Sequence, residues 1–209
     1  MKDTLKVYKK NIKKWEIGKH HLKRAKFKAS LIKNLIKSGK LLDLGAYKGE
    51  LEFFLPKSIE YYPLDMFKIK HRNFKLFDLN KGYLPFKDEY FDCVVCTSIL
   101  EHLLINPNQL LKEIHRILKG NGIAIISLPN DLGLNRIFYL IRNDDNVGLI
   151  EDQEYGRHHW FFTIENSRKL LKKYFVIKNE IGFSGGVLPY FLKFPKKLST
   201  EIYYICEKY

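Results

Sequence analysis

The chain has 209 residues, 45% of them hydrophobic and 29% charged, a balance that suits one globular domain, or one domain with a short extension. No apolar run approaches the roughly 20 residues of a membrane-spanning helix, and the basic opening MKDTLKVYKK lacks the apolar stretch of a secretory signal, so the expected compartment is the cytoplasm. The formal net charge of +14 is uneven: residues 1–40 carry 14 Lys or Arg against Asp3 and Glu16, while the other 169 residues carry 23 basic and 21 acidic side chains.

The first elements predicted are two helices. Leu5, Tyr8, Ile12 and Trp15 recur at helical spacing before Gly18, and Leu22, Ala25, Ala29, Ile32 and Leu35 do so before Ser38-Gly39. Residues 1–39 therefore read as a basic helical cap packed on a main domain of residues 40–209. Such a cap suits an anionic partner: nucleic acid, anionic lipid, or a phosphorylated or acidic acceptor. The plainer reading is a solvated, lysine-rich helix face.

From Lys40 onward, strands and helices alternate. Residues 40–44 form a short apolar strand, 45–49 a turn, and a short helix runs up to Pro56. A second strand, 59–64, ends at Asp65, and a third, 74–77, ends at Asp78. A fourth, 91–97, is apolar throughout. Asn106 caps a helix that has Pro107 at its first position, with Leu110, Leu111, Ile114, Ile117 and Leu118 as its core face and Gly120 as its stop. A fifth strand spans 122–128. Beyond Pro129 come a helix near 163–173, a strand at 175–181 and a last strand at 201–206. Apolar strands alternating with amphipathic helices indicate a parallel sheet covered on both faces.

Cys93 and Cys96 lie within the fourth strand. Residues three apart on a strand face opposite ways, and no second cysteine pair completes a zinc site, so both read as core. No metal site is read from the sequence.

Open parallel sheets bind ligands beyond the carboxyl ends of their strands. Gly45 and Gly49 follow the first strand, where a tight turn allows close backbone approach. Asp65 ends the second strand, and a carboxylate there can accept hydrogen bonds from both hydroxyls of a ribose. Asp78 ends the third strand, and Thr97 and Ser98 end the fourth. Each signal alone is weak; their order within one α/β unit gives them weight.

Residues 41–130 resemble a class I methyltransferase that uses S-adenosylmethionine (SAM). LLDLGAYKGE resembles the family's D-x-G-x-G-x-G motif, with Asp43, Gly45 and Gly49 matching. YPLDMF matches the acidic second-strand motif through Asp65. FDLNKGYLPFKDEYFDCVVCTSILEHL resembles a stretch of the small-molecule branch, through Leu84-Pro85-Phe86, Phe91-Asp92 and Glu101-His102, and LLKEIHRILKGNGIAIISLPN continues the likeness. The resemblance implies a Rossmann-like, seven-stranded, mostly parallel sheet with helices on both faces and an antiparallel last strand at residues 201–206. It implies a cofactor site of Asp43, Gly45, Ala46, Tyr47, Gly49, Asp65, Met66, Asp78, Leu79, Thr97 and Ser98, with Asp78 at the adenine amino group and Leu79 lining the ring. Tyr47 departs from the pattern by standing at the middle glycine. GAYKGE also lacks the G-x-G-x-x-G of a nicotinamide-binding domain.

Methyl transfer is an in-line displacement that gains from alignment, and a hydroxyl or ammonium acceptor must also lose a proton. Histidine is the natural base near neutral pH. His102 follows the fourth strand, near the expected methyl position. His158 begins HHWFFT, which resembles an H-x-x-F-[FT]-T segment of relatives in glycan and surface-polysaccharide pathways and implies an acceptor-side role. Both are candidate catalytic residues; capping or core roles are the structural alternatives. The function expected is methyl transfer to a small-molecule acceptor (sugar, lipid-linked or metabolite) at oxygen or nitrogen. The alternatives are an RNA methyltransferase using the basic cap, or a scaffold that has lost the cofactor.

Overall fold

The computed structural model describes residues 19–133, 158–183 and 195–209. The first predicted helix lies outside these residues. The described elements are helix α1 (Lys19–Leu35), strands β1 (Gly39–Leu44), β2 (Ile59–Asp65), β3 (Lys75–Leu76) and β4 (Phe91–Thr97), helix α2 (Pro107–Ile117), strand β5 (Leu118–Pro129), helix α3 (Ile164–Leu171), and strands β6 (Val176–Phe183) and β7 (Glu201–Glu207).

The seven strands form one sheet in the order β3-β2-β1-β4-β5-β7-β6. β1 pairs in parallel with β2 and β4, and β4 with β5; β7 runs antiparallel to both β5 and β6. This is the expected Rossmann-like arrangement, with helices on both faces and the last strand reversed. The strand order turns back beside β1, so the carboxyl ends of β1, β2 and β4 surround the crevice of such a sheet.

Alternation along the strands divides the core. Cys93, Val95, Ile125, Tyr203 and Ile205 face Ala29 and Ile32 of α1. Val94, Cys96, Ala124, Ile126, Tyr204 and Cys206 face Leu110, Leu111, Ile114 and Ile117 of α2 and Leu171 of α3. Cys93 and Cys96 are fully buried thiols on opposite faces, as the strand period requires.

Three boundaries differ from the sequence reading. Leu118 serves both α2 and β5: its N–H donates to the Ile114 carbonyl as the helix C-cap, and its extended main chain pairs with Phe91 of β4. The third strand shrinks to the exposed edge pair Lys75–Leu76, so an apolar run there marks a sheet edge. The short helix before Pro56 is a 3-10 turn, Glu52–Phe54. The caps follow the sequence: Asn106 accepts from the Asn108 N–H at 3.0 Å, and Thr163 and Asn166 form a capping box on α3.

Two matched motifs are scaffolding. Asp92 accepts from the Lys40 N–H at 2.8 Å and from Lys119 at 2.7 Å, and a Cβ on Gly39 would strike its carboxyl carbon at 2.6 Å. Leu84 and Phe86 present their carbonyls to Arg116 at 3.0 and 2.9 Å, which pins the Leu-Pro-Phe segment to α2.

Candidate active site

The loop after β1 is held by β2. Gly45 and Ala46 donate their N–H groups to the carbonyl of Leu64 at 2.9 and 3.1 Å, and Tyr47 donates its own to Asp65 Oδ2 at 2.8 Å. Gly45, Tyr47 and Gly49 all take left-handed backbone, with φ of 69°, 53° and 76°. At Tyr47 this costs about 1–2 kcal/mol, because Cβ crowds the carbonyl. The departure from glycine is thus accommodated without altering the sign of φ. Its ring stacks on His21 of α1, with centroids 5.1 Å apart. Gly45 is also crowded: a Cβ there would lie 2.2 Å from Ile99 Cδ1, so the tip of that side chain would have to move.

Asp65 also accepts from the Phe67 N–H at Oδ1, at 3.0 Å. Each carboxylate oxygen therefore holds at least one backbone donor, the Met66 N–H adding to those of Tyr47 and Phe67, and the pair retains further acceptor capacity. Burial raises the pKa of Asp65 to about 6, against the lowering effect of those N–H groups. Met66 follows directly. Asp43 is buried at the end of β1; Tyr61 Oη donates to its Oδ2 at 2.7 Å, and its Oδ1 has no hydrogen-bond partner among the described residues.

Asp78 caps the turn Leu79–Lys81 and accepts from the Asn80 N–H at 2.9 Å. Asn80 in turn accepts from the Leu104 N–H at 2.8 Å, tying this turn to the loop after β4. Leu79 packs on the α2 side of the core. The Phe77 N–H donates to the Asp65 carbonyl at 2.9 Å, which brings the ends of β2 and β3 together.

Thr97 and Ser98 end β4, and Ser98 has φ of 53°. Ser98 Oγ accepts from Arg24 at 2.7 Å and donates to Glu201 at 3.0 Å. Glu201 is ion-paired with Arg24 and accepts from Ser127 Oγ. Burial works against the Arg24 charge, but Glu201 outweighs it and holds the guanidinium pKa above its usual range. Helix α1 thus reaches two of the loops that follow the sheet: His21 contacts the first, and Arg24 the one after β4.

The structure brings His102 and His158 together, with ring centroids 4.9 Å apart. The segment carrying His158 is stapled to the turn after β4. His159 and Trp160 donate their N–H groups to the Glu101 carbonyl at 2.7 and 3.3 Å, and Trp160 Nε1 donates to the Leu103 carbonyl at 2.8 Å. Desolvation, then the adjacent His159, lowers the His158 pKa and favours its neutral ring. Glu101 is only 3% exposed, its Oε2 has no hydrogen-bond partner among the described residues, and burial pushes its pKa up to about 8.

Sequence reasoning missed His21, Arg24, Glu101 as a buried group, and Glu201. Arg24 was detectable as a charge beside the buried stripe residue Ala25, and Glu201 as an acid opening an otherwise apolar strand.

A family model described as a methyltransferase domain matches residues 18–174. The chain belongs to the methyltransferase domain family. An uncharacterized protein of Methanocaldococcus jannaschii is 43% identical over 67 residues, a match covering 32% of this chain and 28% of that relative's length. The chain resembles a structure from Burkholderia thailandensis, a 1,6-didemethyltoxoflavin-N1-methyltransferase with bound 1,6-didemethyltoxoflavin and S-adenosylhomocysteine. That likeness has a TM-score of 0.65 at 18% identity, over 99% of this chain and 86% of the other. A SAM-dependent methyltransferase from Thermotoga maritima, a possible histamine N-methyltransferase, aligns over all of both chains with a TM-score of 0.63 and 17% identity. Among the described residues no helix is long and apolar enough to cross a membrane.

Proposed function

We propose that this chain transfers a methyl group from SAM to a small-molecule acceptor (a sugar, lipid-linked compound or metabolite) at oxygen or nitrogen. The observation that carries the reading is the junction of β1 and β2 at their carboxyl ends. There the Gly45-Ala46-Tyr47-Lys48-Gly49 loop, left-handed at residues 45, 47 and 49, is bonded through the Tyr47 N–H to the Asp65 carboxylate.

The residues present fit the cofactor. The carboxylate of Asp65 has acceptor capacity for two ribose hydroxyls, and Asp78 stands one strand further out, where a purine amino group would lie. The Oδ1 of Asp43 is a buried acceptor with no donor among the described residues, beside the loop that would carry the methionine moiety. Ala46, Met66, Leu79, Thr97 and Ser98 complete the proposed contacts. When bound, SAM supplies a methyl group already activated on a sulfonium.

The chain's own part is alignment and proton handling. The loop tips and α1 exclude water from the nucleoside side, and His102 and His158 stand where an acceptor hydroxyl or amine is oriented and gives up its proton. The glycan or surface-polysaccharide acceptor suggested by the HHWFFT segment belongs to this proposal.

The test is transfer of labelled methyl from SAM, offered small-molecule, lipid, RNA and protein fractions of a cell extract. Label entering the small-molecule or lipid fraction, and lost with His102→Ala, is expected. Label entering only RNA or protein, or no fraction at all, overturns the reading.

A further inference from the structure

We propose that Glu101, His102 and His158 form a binding site for a first-row divalent transition-metal ion, open on the acceptor side. The inference rests on the reading of this cluster as the acceptor side and deepens it.

The three side chains come from two distant segments, yet their ligand atoms all lie within 4.8 Å of one another, and Glu101 Oε1 is 3.9 Å from His102 Nε2. Ligands held at about 2.1 Å in a tetrahedral site stand roughly 3.4 Å apart, so a small rotation of the exposed His158 closes the set. The backbone is already fixed: the residues after His158 donate to the Glu101 carbonyl, and Trp160 anchors to Leu103.

A second observation points to a cation. The Glu101 side chain is 3% exposed and its Oε2 receives no hydrogen bond among the described residues. A buried carboxylate oxygen without a donor is costly unless the group is protonated or paired with positive charge. A metal ion held by the two imidazoles supplies that charge. Two histidines and one carboxylate are a donor set that suits zinc, iron, cobalt or nickel, whereas magnesium prefers oxygen ligands and retained water. Three protein ligands leave at least one coordination position for an oxygen or nitrogen of the acceptor. In the loaded protein, His102 and His158 then act on the acceptor through the ion.

The test uses chelator-treated protein titrated with Zn2+ or Co2+, followed by thermal shift and by the Co2+ ligand-field spectrum, with S-adenosylhomocysteine titrated in parallel. The expected result is a metal-dependent rise in Tm and new Co2+ absorption bands, with affinity reduced about tenfold or more by Glu101→Gln and by His158→Ala. The exposed position of His158 makes that variant safe for folding. No shift and no bands up to millimolar metal, or wild-type affinity in both variants, overturns the site. Stabilisation by S-adenosylhomocysteine alone would then leave the methyltransferase reading standing; its absence would remove that reading independently.

Discussion

The backbone N–H of Tyr47 donates to Asp65 Oδ2 at 2.8 Å, so the residue that departs from the glycine pattern is bonded to the carboxylate assigned to the ribose. That bond, with the stack on His21, holds Tyr47 at φ of 53°. Tyr47→Gly relieves backbone strain of about 1–2 kcal/mol but loses the ring stack and gains unfolded-state entropy, so its net effect on stability stays within about 1 kcal/mol. Tyr47→Val keeps the strain, adds β-branching and loses the ring, and should cost about 2 kcal/mol or more. Urea denaturation midpoints rank the variants; Val equal to Gly would contradict the left-handed turn.

Gly45→Ala should destabilise by about 1–3 kcal/mol, since the new Cβ meets Ile99 Cδ1 at 2.2 Å on left-handed backbone. Truncation by Ile99→Val removes the clashing atom and should recover part of that loss in the double variant. Additive losses in a double-mutant cycle would show that the two positions do not meet.

Asp65 has a folded-state pKa of about 6, above its ordinary 3.8. A raised carboxyl pKa means the native state binds the extra proton, so this group's contribution is fully present below about pH 4 and is lost as pH rises through 6. Ligand binding runs the opposite way, because ribose hydroxyls donate to the ionised form. Affinity for S-adenosylhomocysteine should fall about tenfold between pH 7.5 and pH 5, and Asp65→Asn should abolish that dependence. Calorimetry at the two pH values checks both.

Arg24 and Glu201 join α1 to β7 through a pair whose side chains are 25% and 10% exposed. Arg24→Ala leaves the Glu201 carboxylate largely buried and should cost about 2–3 kcal/mol, less than for a fully buried pair. Glu201→Gln in that background should restore part of the loss. Purely additive denaturation energies would place the two groups outside contact.

The sheet and the strand-end residues of the candidate site were legible because their signals are local. Asp65 and Thr97 close apolar strands, and Asn106-Pro107 opens a helix, so periodicity and capping placed each without the fold. What escaped depends on pairing between distant segments. Leu118 fits the helical stripe by spacing, yet its backbone pairs with Phe91. Glu101 looks like a surface acid in ILEHL until the His159-Trp160 segment folds over it. Arg24 and Glu201 lie far apart in the chain and gain meaning only when α1 crosses the strand ends.

Isothermal titration with S-adenosylhomocysteine at pH 7.5, on the wild-type chain and on Asp65→Ala, tests the central claim most directly. The account predicts one site per chain in the wild type and at least about tenfold weaker binding in the variant, whose fold survives because the side chain sits at a strand end. No heat with the wild type, or equal affinity in both proteins, would contradict a nucleoside held across the ends of β1 and β2.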